Sequence, residues 1–302
     1  MPEFERVAGP FSFTEGPVWD GQRVIFTDIP PSRIMAFNPA TGTTEVVIEN
    51  TERSNGLAFD AAGRLHACQD AGRRVVRYES DGSRTAVAET YQGRRLNSPN
   101  DLAIDRDGRI WFSDPRYGDN RADMELDHES VYLATPADAA GVAAADATGG
   151  DGYRLVRATF DTTRPNGVLL DAAETTLFVA ESPRAPEGRR ELRAYPIGSD
   201  FSLGEPEVLF DFGSHRGVDG MTLAPDGSLL VACGWKLGGP GPRIAVFGPD
   251  RTLHAEYPTP ANPSNLCFGG PDRRDLFVTG ADGTLLRMTG LLDSSGRGPW
   301  AQ

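Results

Sequence analysis

One short pattern of polar and apolar positions recurs six times along the chain. Each copy begins with an oxygen-bearing residue, continues with a turn-prone residue and then runs into apolar residues. The copies are Glu15–Asp20, Asn55–Asp60, Asn100–Asp105, Asn166–Asp171, Asp219–Ala224 and Ser264–Gly269. Their first residues lie between 40 and 66 positions apart. Self-similarity at such a period predicts a repeat architecture.

Each copy of the pattern is followed by further apolar runs, which turn-forming residues separate. Asp105–Arg109 lies between the first run of its repeat and the run Ile110–Ser113. An Asp-Gly turn between two such runs predicts a β-hairpin. Third runs such as Arg33–Phe37 follow, and some repeats close with a fourth, such as Glu45–Ile48. Four short antiparallel strands per repeat are typical of a propeller blade.

The repeats predict one all-β domain over residues 1–302, a six-bladed β-propeller with four-stranded antiparallel blades around a central metal-containing channel. A period of about 40–50 residues corresponds to one blade. The blades are predicted to begin near residues 12, 53, 98, 164, 217 and 262. The last repeat has three clear strands, so we expect Phe4–Val7 to supply its fourth strand and to close the ring. A sandwich or an open solenoid is the alternative, and the incomplete last repeat favours closure.

The interval between the third and fourth copies is longer than one blade requires. It contains Pro136–Gly152, a stretch rich in Ala, Gly and Asp. We interpret this stretch as an inserted, mobile surface loop.

Composition narrows the classes of partner. The net charge of −13 disfavours a nucleic-acid partner, because a phosphate backbone requires a basic surface. Cys68, Cys233 and Cys267 are odd in number and lie in apolar runs, so we expect buried free thiols. The N-terminus has no basic segment followed by an apolar run, and no stretch approaches 18 apolar residues. We therefore expect a cytoplasmic protein without a membrane partner, either a monomer or a weak homo-oligomer.

The first residue of each copy is the candidate for chemistry. The innermost strand of a propeller blade lines the channel, so these six side chains are expected to point toward the axis at a similar depth. All six carry oxygen: Glu15, Asn55, Asn100, Asn166, Asp219 and Ser264. Asn and Asp at such positions can also act as caps that bond their own backbone. Two carboxylates that face one channel, however, repel each other unless a cation lies between them.

An oxygen-only donor set predicts a site for one hard divalent cation. Ca²⁺ is favoured, Mg²⁺ and Mn²⁺ also suit such ligands, and Zn²⁺ or Fe²⁺ are further alternatives. A structural zinc site is disfavoured because it would require Cys or His. The predicted ligands are Glu15, Asn100, Asn166 and Asp219, which leave positions for water and a substrate oxygen. Asn55 and Ser264 then remain as polar lining of the channel.

Five motifs together resemble a known family, the SMP-30/gluconolactonase/luciferin-regenerating-enzyme family. The motifs are Glu15–Trp19, Pro99–Leu102, Trp111–Gly118, Arg164–Val168 and Val218–Met221. The resemblance covers essentially the whole chain and implies a six-bladed propeller. It also implies metal ligands at Glu15, Asn166 and Asp219, with Asn100 as the fourth ligand or as a substrate contact.

One position departs from the family pattern. Some members have an Arg two residues before the position of Asn100, and that Arg binds sugar. Here the position is Ser98, while Arg95 lies nearby. The departure leaves the exact substrate open.

The resulting hypothesis is a metal-dependent lactonase that opens a sugar lactone such as gluconolactone. The cation would polarise the lactone carbonyl as a Lewis acid. Asp219, which is anionic and at the predicted metal, is the candidate general base that activates the attacking water. Predicted substrate contacts are Asn100, Arg116, Tyr117, His215 and Trp235.

Two other functions stay open at this point. The first is a phosphotriesterase like the diisopropyl-fluorophosphatases, which use the same kind of four-oxygen set. The second is a calcium-binding or protein-interaction propeller without catalysis, because a fold does not determine a function. Convergent acids in the channel favour an enzyme over a scaffold.

Overall fold

The structure is a computed structural model that describes residues 3–117, 121–137, 147–148, 152–183 and 188–301. Its first twelve strands are β1 (Glu5–Ala8), β2 (Thr14–Trp19), β3 (Val24–Asp28), β4 (Arg33–Asn38), β5 (Thr43–Glu49), β6 (Ser54–Phe59), β7 (Leu65–Gln69), β8 (Arg74–Tyr78), β9 (Arg84–Ala88), β10 (Thr90–Tyr91), β11 (Arg94–Arg95) and β12 (Leu102–Ile104). The next eight are β13 (Ile110–Asp114), β14 (Ser130–Pro136), β15 (Ala147–Thr148), β16 (Tyr153–Arg157), β17 (Pro165–Leu170), β18 (Thr176–Glu181), β19 (Glu191–Pro196) and β20 (Glu207–Asp211). The last seven are β21 (Val218–Leu223), β22 (Leu229–Trp235), β23 (Gly238–Phe247), β24 (Leu253–Pro258), β25 (Pro263–Gly269), β26 (Asp275–Gly280) and β27 (Thr284–Met288).

The strands form six main sheets, three in each of two compact units. The first unit comprises residues 1–54 and 212–302. Its sheets have the strand orders β2-β3-β4-β5, β21-β22-β23-β24 and β1-β27-β26-β25. The antiparallel pairing of β1 with β27 gives the last sheet its fourth strand from the N-terminus, as the sequence predicts.

The second unit comprises residues 55–211 and holds the other three main sheets. Their strand orders are β6-β7-β8-β9, β12-β13-β14-β16 with β15 added beside β16, and β17-β18-β19-β20. Strands β10 and β11 form a separate two-stranded ribbon. The predicted insertion Pro136–Gly152 lies mostly outside the described residues.

The six main sheets are the blades of a six-bladed β-propeller, which confirms the predicted fold class. Apart from one 3₁₀ turn at Pro271–Arg273, the described residues contain no helix. None of the described residues therefore belongs to a helix long and apolar enough to cross a membrane.

In four of the six copies, the last residue of the recurring pattern is an Asp whose side chain binds the backbone of the turn that follows it. The Asp105 Oδ1 atom accepts a hydrogen bond of 2.9 Å from the backbone N–H of Arg109. Gly108 adopts a positive φ of 79° in this turn, a conformation that glycine adopts without steric cost. Asp60 and Asp171 bind the backbone of their own turns in the same way. The Asp-Gly signal in the sequence is thus a local hydrogen-bonding device, which is why it predicts the hairpins well.

Apolar side chains that face away from the sheets form the cores. In the first unit, one cluster joins Phe26 and Phe37 to Phe277, which are all at most 2 % exposed. In the second unit, Trp111 is 1 % exposed and packs in a cluster with Val179. The three cysteines are free and buried as predicted, at Cys68, Cys233 and Cys267.

Candidate functional site

Several of the residues that begin the recurring pattern lie where the regular strand ladder is interrupted. The register shifts between Glu15 and Val18 in β2, between Pro165 and Val168 in β17, and between Val218 and Met221 in β21. A shift of this kind is a β-bulge, which re-aims side chains and is frequent next to functional sites. Each of the three candidate ligands on these strands therefore stands at a bulge and not within a continuous ladder.

In the first unit, Glu15 is a buried carboxylate with 6 % of its surface exposed. Its Oε2 atom accepts a hydrogen bond of 2.8 Å from the backbone N–H of Gly16. The hydroxyl of Thr27 on the neighbouring strand donates to the Glu15 carbonyl oxygen at 3.1 Å. Both the side chain and the backbone of Glu15 are thus held in place.

Asp219 is paired with the guanidinium of Arg216, which other residues hold on several sides. The Nη2 atom of Arg216 donates to Oδ2 of Asp219. The Nη1 atom of the same guanidinium donates to the carbonyl oxygens of Gly234 and Pro263, both at 3.0 Å. Its central carbon lies 5.0 Å from the ring centroid of Trp235, within the range of a cation–π contact. Arg216 therefore orients the Asp219 carboxylate.

The first residue of the sixth copy has a different environment. Ser264 is fully buried, and its hydroxyl donates to the carbonyl oxygen of Thr14 at 2.7 Å. The following residue, Asn265, packs directly over Gly220, where an added Cβ would lie 2.0 Å from the Asn265 side chain. Gly220 follows Asp219, so a glycine at this place permits the close approach of β21 and β25.

The predicted contact His215 also lies in the first unit. Its imidazole packs against Gly239, where an added Cβ would lie 2.8 Å from the ring. Trp235, which ends β22, stacks on Arg216 as described above. Both predicted contacts thus lie close in sequence or in space to the Arg216–Asp219 pair.

In the second unit, Asn100 stands just before β12 and is held through its backbone. Its N–H donates to the Ser113 carbonyl oxygen at 2.9 Å, and its own carbonyl oxygen accepts from Gly56 N–H at 2.8 Å. A Cβ added to Gly56 would lie 2.8 Å from the Asn100 oxygen and 2.5 Å from Oδ1 of Asp101. Asn55, the first residue of the second copy, directly precedes this close contact and is partly buried.

Asn166 lies on β17 and is 9 % exposed. Strand β17 contacts β12, so the segments that carry Asn100 and Asn166 are neighbours within this unit. Arg164, two residues earlier, places its guanidinium carbon 5.5 Å from the ring centroid of Tyr117. The predicted contact Tyr117 is thereby located beside the segment that leads to Asn166.

Arg116 reaches the residue that departs from the family pattern. Its Nη1 atom donates to Oγ of Ser98 at 3.2 Å, and its Nη2 atom donates to Asp123 at 2.6 Å. A guanidinium from the next strand end therefore lies beside position 98. No sequence spacing indicated this contact.

Asp114 is the most strongly perturbed acid of this region. It is fully buried, and burial raises the pKa of its carboxyl to about 7, although the N–H groups of Asn97 and Ser98 favour its charged form. An unfolded Asp loses its proton near pH 4, whereas Asp114 in the folded state keeps its proton up to about pH 7. Between these values the folded state holds more protons, so the contribution of Asp114 to stability is present at low pH and is lost as the pH rises through about 7.

This linkage predicts how stability changes with pH. Raising the pH from 5 to 7.5 should destabilise the wild-type protein relative to the Asp114→Asn variant, by at most about 1.4 kcal/mol per pH unit. Urea unfolding of both proteins at the two pH values measures the difference, and the Asn variant cancels the contributions of other titrating groups. Equal changes in the two proteins would show that Asp114 does not titrate in this range.

The four predicted ligands have the donor chemistry of a hard cation. Glu15 and Asp219 supply carboxylates, and Asn100 and Asn166 supply carboxamides, which are oxygen ligands of the kind that Ca²⁺ and Mg²⁺ accept. Within the described part of the chain, no group of three or more His, Cys, Asp or Glu side chains could hold a metal ion.

The recurring sequence pattern did not indicate the groups that hold the candidate residues in place. It gave no sign that Arg216 pairs with Asp219. It also passed over the acids that end β3, β13 and β18, which are Asp28, Asp114 and Glu181. An acid directly after the apolar second run of these three repeats was the available signal.

Comparisons with known proteins relate the chain to one family. A family model described as the SMP-30/gluconolactonase/LRE-like region matches residues 13–282. A gluconolactonase from Zymomonas mobilis is 28% identical over 88% of this chain and 75% of its own length. A diisopropyl-fluorophosphatase from Loligo vulgaris is 27% identical over 92% of this chain and 88% of its own length.

A solved structure extends the likeness to three dimensions. A gluconolactonase from Xanthomonas campestris superposes with a TM-score of 0.79 and 29% identity, over 95% of this chain and 89% of that chain. Because the family model spans most of the chain, including the segments that carry all six copies of the recurring pattern, the protein belongs to the SMP-30/gluconolactonase/LRE-like family.

Proposed function

We propose that the protein is a lactonase that hydrolyses a sugar lactone with the help of one divalent cation. The observation that carries this proposal is the Asp219 carboxylate, which stands at a bulge in a family motif and is oriented by Arg216. Membership of a family with named gluconolactonases supports the reaction class. The chain is accordingly an enzyme of the class that acts on carboxylic esters.

The candidate ligands are Glu15, Asn100, Asn166 and Asp219, with Asn100 alternatively a substrate contact. When bound, a divalent cation, in our proposal Ca²⁺, would polarise the lactone carbonyl as a Lewis acid. Asp219 would accept a proton from the attacking water as general base. The water oxygen bonds to the carbonyl carbon, the ring C–O bond breaks, and the ring oxygen takes up a proton to give the open hydroxy acid.

The remaining predicted contacts would orient the sugar. Arg116 would do so from beside Ser98, where its guanidinium already donates to Ser98 and to Asp123. His215 can donate to or accept from sugar hydroxyls. Tyr117 and Trp235 supply aromatic faces, each already beside a guanidinium. Asn55 and Ser264 would line the path to this site or support it from behind.

Phosphotriester hydrolysis is the second candidate function. The likeness to the squid diisopropyl-fluorophosphatase over 92% of this chain favours it specifically. That enzyme and the Zymomonas mobilis gluconolactonase have comparable identity to this chain, so sequence likeness alone does not separate the two activities.

A substrate and metal panel tests the proposal. After chelation, we expect the protein to lose its hydrolysis of five- and six-membered sugar lactones. Ca²⁺, Mg²⁺, Mn²⁺, Zn²⁺ and Fe²⁺ are then added back in turn. We expect Ca²⁺ to raise the hydrolysis rate of the chelated protein at least about a hundredfold, because a metal that polarises the carbonyl stabilises the transition state by several kcal/mol. Acid release in a pH-stat is the measurement, and an organophosphate ester serves as the competing substrate.

The outcomes separate the alternatives. Hydrolysis of the organophosphate alone would support the phosphotriesterase. If the protein hydrolyses no substrate even before chelation, and chelation lowers its thermal stability, the result would support a structural calcium site in a non-catalytic propeller. Lactone hydrolysis that survives complete chelation would contradict the role of the cation.

A further inference from the structure

We propose that Asp28, Asp114 and Glu181 are positioning residues for three of the four candidate metal ligands. Each would clamp the backbone that leads into one ligand, namely Glu15, Asn100 or Asn166. The inference rests on the proposed function, since it concerns how this chain prepares the same site.

The three acids occupy the same place in their blades. Each is the last residue of the second strand of its sheet, in β3, β13 and β18. Each side chain is fully buried, with 0 % of its surface exposed. A buried acid must be paired or hydrogen-bonded, because desolvation of an unpaired carboxylate is costly. The partners of these acids therefore reveal what the carboxylates hold.

Each acid accepts hydrogen bonds from two consecutive backbone N–H groups. Asp28 accepts from Ser12 at 2.9 Å and from Phe13 at 3.2 Å. Asp114 accepts from Asn97 at 2.8 Å and from Ser98 at 2.7 Å. Glu181 accepts from Thr163 at 2.9 Å and from Arg164 at 2.7 Å.

The donor residues have a constant offset from the candidate ligand. In every case they lie three and two positions before it, ahead of Glu15, Asn100 and Asn166 respectively. Hydrogen bonds to a charged acceptor are shorter and stronger than neutral ones. Two such hydrogen bonds fix the position and the direction of the backbone immediately before the ligand, so the backbone of the ligand residue itself has a defined position.

The other three blades lack an acid at this place. Their second strands end in Gln69, Trp235 and Gly280, and in the fifth blade the residue paired with the position before Asp219 is Cys233. The second and sixth blades begin with Asn55 and Ser264, which are not candidate ligands. In the fifth blade, Arg216 bonds directly to the candidate ligand Asp219. The buried acid is thus present in each blade with a candidate ligand except the fifth, where the ligand is bonded directly to an arginine.

The clamps of Asp114 and Glu181 differ in how their oxygens are used, and the difference allows a sharp test. Asp114 uses both oxygens, one for each N–H. Glu181 accepts both N–H groups on Oε1 alone, and Oε2 has no hydrogen-bond partner within the described part of the chain. A carboxamide can therefore replace Glu181 without losing an acceptor, whereas at Asp114 it would turn an NH₂ group against a backbone N–H.

The test measures Ca²⁺ affinity by calorimetry on the full-length protein at pH 8. Residues that orient metal ligands typically contribute about 10- to 100-fold to metal affinity. We expect Glu181→Ala, Asp28→Ala and Asp114→Asn each to weaken Ca²⁺ binding at least about tenfold. Glu181→Gln should bind Ca²⁺ within about threefold of the wild-type protein, as should the matched control Gln69→Ala in a blade without a candidate ligand.

The variants Glu181→Gln and Asp114→Asn test the proposal even where an alanine variant does not fold. Tighter binding by Glu181→Gln than by Asp114→Asn supports the clamps, because both variants lose one buried acid and only one loses an acceptor. Equal binding by these two variants overturns the proposal, as does a Gln69→Ala variant that is weakened as much as the others. A wild-type protein that binds none of the divalent cations would instead overturn the metal site itself, and the clamps with it.

Discussion

Asp219→Asn is expected to lower kcat for lactone hydrolysis at least about a hundredfold, because a general base typically contributes 10²–10⁴ to the rate. The amide keeps an oxygen but cannot take the proton from water. It also weakens the ion pair with Arg216, which should reduce the free energy of unfolding by about 1–3 kcal/mol. Steady-state kinetics and urea unfolding of the same preparation give both quantities.

Asp226→Asn is the matched control for this experiment. It makes the same chemical change in the same blade, at a turn where Oδ1 accepts from Ser228 N–H at 2.9 Å. A carboxamide oxygen can accept that bond, so activity should remain close to the wild-type level. Near-normal turnover by Asp219→Asn with the cation still bound would remove Asp219 from the role of base.

Gly56→Ala should disturb the second unit where it holds Asn100. The new Cβ would lie 2.8 Å from the Asn100 carbonyl oxygen and 2.8 Å from Cα of Asp101, so the backbone must move. Overpacking of this kind costs typically about 1–3 kcal/mol. Because the 2.8 Å bond from Gly56 N–H to Asn100 is displaced as well, we expect weaker Ca²⁺ binding in addition to lower stability.

Gly238→Ala provides the comparison, since an added Cβ there meets nothing within 4 Å. Thermal unfolding and calorimetric titration of both variants should show a loss of stability and of Ca²⁺ affinity at position 56 alone. If Gly56→Ala lost stability but bound Ca²⁺ as tightly as the wild-type protein, Asn100 would not be a ligand.

The fold was largely predictable because its signals are local. Asp105 bonds the N–H of Arg109, four residues later, and similar short-range bonds close the hairpins that begin at Asp60 and Asp171. Such turns, with alternating apolar runs between them, specify strands without long-range information. The N-terminal strand was also predictable, because the last repeat lacked a fourth run and β1 supplies it.

The candidate site was predictable only as a set of first positions. The recurring pattern singled out Glu15, Asn166 and Asp219 but not the bulges at which they stand. It placed Ser264 in the lining of the channel, and in the structure that hydroxyl is fully buried and bonds to Thr14. A pattern of residue types does not distinguish a side chain that faces solvent from one that bonds a neighbouring strand.

By itself, the sequence determined the repeat, the strands and the oxygen-bearing residues that begin each blade. The tertiary structure decided how those residues are held. The clamps of Asp28, Asp114 and Glu181 join positions 15 to 18 residues apart, and Arg216 reaches Pro263 across 47 residues. Contacts at such separations depend on which strand ends meet after pairing, and local propensity carries no record of that.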